Sequence, residues 1–172
     1  MFAGERIYSR ALQTAFILLV LPGLAFSQSG KEAFRGFKKL EAKIQIGISY
    51  PDYNAGLGDA KFELNMFLDS PEAKSRPEIA ESLQKVMDHY INAGLLFKEL
   101  VKPIKCLPTT NYSSNASDSW KADVERAKSV LRIYPEASAF VDGRGYLDID
   151  KAMKIIWQKA SDELKKTANL FN

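Results

Sequence analysis

The spacing of the apolar residues constrains this chain more than any other feature. From Lys31 onward they recur at steps of three and four, and no alternating run survives beyond four residues. A helix of 3.6 residues per turn requires that spacing; a strand, with its two-residue period, does not. Phe34, Phe37, Leu40, Ile44 and Ile48 mark a first helix over about Lys31 to Ile48. Tyr53, Leu57, Ala60, Leu64, Phe67 and Leu68 mark a second from Pro51, and Ile79, Leu83, Val86, Met87, Tyr90, Gly94 and Phe97 a third running to about Val101. Trp120, Val124, Ala127, Leu131 and Tyr134 give a fourth, and Met153, Ile156, Trp157, Ala160, Leu164, Ala168 and Phe171 a fifth. An amphipathic helix is marginal alone in water, so the stripes must bury one another. The expected fold is all-α, an up-and-down bundle of four or five helices.

The punctuation agrees with those limits. Ser49-Tyr-Pro51-Asp52 separates the first two helices, and Asp69 to Pro77 reads as a connector. Ser75-Arg-Pro-Glu78 has the residues of a capping box at the start of the third helix. Gly56 and Gly58 lie inside the second, where each costs about 1 kcal/mol relative to alanine; a close approach by another helix would explain them. Residues 103–119 read as an exposed polar loop, since Thr109 to Ser119 is almost entirely Thr, Asn, Ser and Asp. Asp148 is placed to cap the fifth helix. Strands are not expected, and Asp142-Gly143 is flanked by helical patterns rather than by hairpin strands.

Residues 1–27 follow a different rule. Arg6 and Arg10 precede an apolar run from Ala11 to Leu21, then Pro22-Gly23 and the small residues Ala25 and Ser27. A positive start, a short apolar stretch and a small-x-small exit form the pattern of a cleaved secretory signal. A retained anchor is the competing reading, but a spanning helix needs roughly 20 apolar residues and this run is interrupted at Pro22. The expectation is one helical domain over residues 28–172, exported to the periplasm or the extracellular space, with no stable membrane span after cleavage. The whole chain carries a net charge of +3 with Lys and Glu interleaved along it, which argues against a nucleic-acid partner.

The residue types that carry chemistry are scarce. His89 is the only histidine and Cys106 the only cysteine. No intramolecular disulfide can form, although Cys106 could join two chains. A di-iron centre uses Glu-x-x-His twice, and the residue three before His89 is Val86. A haem held by His89 and Met66, Met87 or Met153 is chemically open, but these methionines read as core filler, and no cofactor is expected. Asp142-Gly-Arg-Gly-Tyr-Leu-Asp148-Ile-Asp150 has the glycine of a calcium loop but Arg144 and Lys151 where oxygen ligands belong. Asn111-Tyr-Ser113 and Asn115-Ala-Ser117 are glycosylation sequons, used only if the host glycosylates. Among the tyrosines, Tyr50, Tyr112 and Tyr146 fall in connectors.

The leading reading is therefore a non-enzymatic module that binds a protein or an envelope component. A second reading is a bundle holding a small ligand near His89, Tyr50 and Tyr146. A third is an enzyme built on the carboxylates of Asp142, Asp148 and Asp150.

Overall fold

The structure, a computed structural model, describes residues 29–100, 106–109 and 117–172. The signal-peptide reading of residues 1–27, the sequons at Asn111 and Asn115, and Tyr112 lie outside the described residues. The helices are α1 (Ser29–Gln45), α2 (Tyr50–Leu68), α3 (Pro71–Ser75), α4 (Pro77–Leu100), α5 (Asp118–Ile133) and α6 (Ile149–Leu170). A 3₁₀ turn over Pro135–Phe140 and two short strands, β1 (Cys106–Pro108) and β2 (Tyr146–Asp148), complete the order. The protein is an all-α bundle with a minimal sheet at its side.

Four helices form the core. α1 and α2 run antiparallel, with Gly36 against Ala60 and Gly56 against Leu40. α4 returns beside α2, where the Tyr53 hydroxyl donates to the Tyr90 carbonyl at 2.6 Å. α6 descends along α4, bringing Ser82 to Thr167 at one end and Phe97 to Trp157 at the other. The predicted stripes are the buried faces: Phe37, Leu40, Tyr53, Phe67, Ile79, Leu83, Tyr90 and Ile156 are all essentially inaccessible. Each such side chain contributes roughly 1.5–3 kcal/mol by leaving water, which holds together helices that are marginal alone.

The remaining elements correct the sequence reading in five places. α1 ends at Gln45, because Gly47 adopts a left-handed conformation with φ of 92° and its N–H closes on the Ile44 carbonyl. The supposed connector after Asp69 contains α3, capped by Ser70, whose hydroxyl accepts from the Ala73 N–H. The capping box is not made: the Ser75 hydroxyl donates back to the Glu72 carbonyl instead. Strands do occur, since β1 lies antiparallel to β2 with Cys106 opposite Asp148 and Leu107 opposite Leu147. A strand of three residues is too short to display a period, and this one pairs with a segment about forty positions away.

Asp142-Gly-Arg-Gly145 is a tight turn between Val141 and β2 rather than a link between helices. Gly145 has φ of 80°, and the Asp142 carboxylate accepts from the Arg144 and Tyr146 N–H groups. Asp148 caps α6 as expected, accepting from the Lys151 N–H at 3.1 Å. α5 sits on the sheet and the 3₁₀ turn, outside the four-helix core.

Two buried carboxylates pin the periphery. Glu99, only 1% exposed, meets Arg126 of α5 at 2.9 Å, and Arg126 also reaches Asp123. Glu72 accepts from the Ser29 hydroxyl and the Gly30 N–H, tying α3 to the start of α1. A charge this far from water persists only when paired or hydrogen-bonded, and both are.

Candidate functional site

His89 lies half-buried on α4, beside the end of α5. Its Nδ1 is 2.9 Å from the Tyr134 hydroxyl, which also accepts from the Asn92 side-chain amide at 3.2 Å. The phenol oxygen can donate to a bare Nδ1, or accept from a protonated Nδ1 alongside Asn92, so the contact is compatible with either tautomer of His89. Burial lowers the His89 pKa, opposed by the Glu163 and Asp88 charges and assisted by those of Lys159 and Lys166. Burial likewise raises the Tyr134 pKa. The cluster is a hydrogen-bonded joint between α4 and the end of α5.

The other sequence candidates are not brought to it. Tyr50 packs edge-on against Phe97 with ring centroids 5.5 Å apart. Tyr146 packs against Trp120, with the Arg144 guanidinium over its ring. Among the described residues, no hydrogen bond or ring contact joins any two of His89, Tyr50 and Tyr146. Of the methionines weighed as haem ligands, Met87 and Met153 are core residues and Met66 is 56% exposed.

The three carboxylates of the turn region are engaged separately. Asp142 holds the turn and meets Arg144, and the Tyr146 and Arg144 N–H groups keep its carboxyl below the usual range. Asp148 is similarly lowered by the Lys151 N–H it caps, and Asp150 pairs with Lys154. Cys106 is exposed beside Asp148 and Asp150 in a shallow depression reached also by Leu100. No group of three or more His, Cys, Asp or Glu side chains suited to a metal occurs among the described residues. The Trp157 indole N–H is buried within the ring cluster of Tyr53 and Phe97.

One surface feature lies outside everything the stripes announce. α1 and α2 part on their outer side to form an open cleft of about 540 Å³. Its floor is Gly36, Leu40 and Gly56, where the two helices approach closely. Lys39 and Lys43 form the α1 wall, and Asp59 and Glu63 the α2 wall. Phe62, 63% exposed, stands on the α2 rim, and Met66 follows one turn later.

No family model matches the chain, and no curated protein or solved structure matches it.

The site must therefore be read from its chemistry. None of the four wall charges has an ion-pair partner among the described residues. Elsewhere on the surface ion pairs do form, as in Glu81 with Lys85, Glu136 with Lys159 and Asp162 with Lys165. No described helix is long and apolar enough to cross a membrane. Sequence reasoning missed the cleft because it followed the buried stripe. The available signal was Phe62 and Met66, two large apolar residues one turn apart on the face opposite that stripe.

Proposed function

We propose that this chain is an exported helical domain that works by binding another macromolecule, and that the cleft between α1 and α2 is its contact surface. The observation that carries the reading is Phe62, an aromatic side chain 63% exposed on the rim of an open cleft. Aromatic residues flanked by polar groups are the usual energetic anchors of protein interfaces. Of the groups that would suit catalysis, His89 is engaged with Tyr134, Asp142 with Arg144, Asp148 with Lys151 and Asp150 with Lys154, and Cys106 stands exposed. Export rests on residues 1–27 and is checked by the N-terminal sequence of protein recovered outside the cytoplasm.

The binding reading is tested by a photo-crosslinking residue placed at Phe62 and, separately, at Ile133, an apolar residue of α5 exposed to 49%. Adducts formed in the host from position 62 and not from 133 support it. No adduct from 62, or equal labelling at both, overturns it.

A further inference from the structure

We propose that the occupant of the α1–α2 cleft is a second copy of the same chain. The proposal rests on the binding reading and names its partner. The two walls carry opposite charge: Lys39 and Lys43 on α1, Asp59 and Glu63 on α2. A twofold axis parallel to the two helices would exchange the walls, setting the basic wall of each copy on the acidic wall of the other. Such a self-complementary patch is what an isologous interface requires. The same rotation would bring the Phe62 rim of each copy toward the α1 side of the other, which carries Lys39 and Lys43.

The other classes of occupant fit less well. An anionic surface would gain from Lys39 and Lys43 but be repelled by Asp59 and Glu63. A cationic one would meet the reverse conflict, and an apolar segment would leave all four charges without partners. A second copy matches both walls at once, and close interfacial charge pairs govern association strongly.

The experiment is sedimentation equilibrium on residues 28–172, kept under a reducing agent so that Cys106 cannot link chains. The wild type should form dimers that weaken as salt is raised. K39E/K43E and D59K/E63K should each be monomeric, with association weakened about tenfold or more, while circular dichroism shows the helices intact. Mixing the two variants in equal amounts should restore a dimer containing one of each, because reversing both walls in opposite copies restores one complementary pairing. Phe62→Ser should also give monomers. A monomeric wild type, or a mixture of reversed variants that stays monomeric while the wild type dimerises, overturns the proposal. Crosslinks from position 62 to a different protein also overturn it, while leaving the binding reading standing.

Discussion

His89 Nδ1 lies 2.9 Å from the Tyr134 hydroxyl, and the pair locks the end of α5 to the middle of α4. The Asn92 amide donates to the Tyr134 oxygen, completing the joint. Protonating His89 places a positive charge at a half-buried position, which burial disfavours.

Acid should therefore destabilise the fold through this one group. The folded state holds the His89 proton more weakly than the unfolded chain, because burial lowers its pKa from 6.5. Its contribution is complete above the unfolded value near 6.5, declines as the pH falls below it, and levels off under the folded value. His89 is the only histidine, so it is the only side chain that ordinarily titrates there. Urea midpoints should fall between about pH 8 and about pH 5. Tyr134→Phe should cost about 1 kcal/mol at the higher pH. Equal midpoints at both values would contradict the joint.

The two glycines of α2 should respond oppositely to alanine. A Cβ at Gly58 meets nothing within 4 Å, so Gly58→Ala should stabilise by about 0.5–1 kcal/mol through helix propensity. A Cβ at Gly56 would lie 3.1 Å from Leu40 Cδ1, a core side chain with little room to move. Crowding there should offset the propensity gain. Thermal unfolding of the two single variants measures the contrast; equal stabilisation would show that α1 is not held against α2 at Gly56.

Arg126 and Lys128, two residues apart on α5, should differ sharply. Arg126 supports the buried Glu99, whereas Lys128 pairs with Glu125 in the open. Arg126→Met should destabilise by about 2 kcal/mol or more, since it removes the cation beside a buried carboxylate. Lys128→Met should cost under about 0.5 kcal/mol, because exposed pairs are screened and entropically costly. Denaturant titration of both variants gives the comparison. Similar losses would mean that α5 is not anchored through Glu99.

Much of the bundle was legible because helices are local. The faces that carry Phe37, Tyr53, Tyr90 and Ile156 into the core follow from spacings of three and four alone, and Asp148 is recognisable as a cap by its place before an apolar run. What failed was whatever depends on a distant partner or is very short. β1 exists because Leu107 finds Leu147, which leaves no mark in the residues nearby; α3 had a local signal in Ser70-Pro71 but is too short to show a stripe.

The same division separates the two candidate sites. His89 could be singled out in the sequence by rarity, but only packing supplies Tyr134 and Asn92 and makes it a joint. Gly56 could be suspected of admitting a neighbouring helix, and Leu40 is what it admits. The sequence by itself determined the helices and their buried faces, because a helical face is decided by residues within a few turns of one another. Only the tertiary structure decided that Lys39 and Lys43 would stand across a cleft from Asp59 and Glu63. Electrostatic complementarity is a relation between elements, set by how α1 and α2 dock.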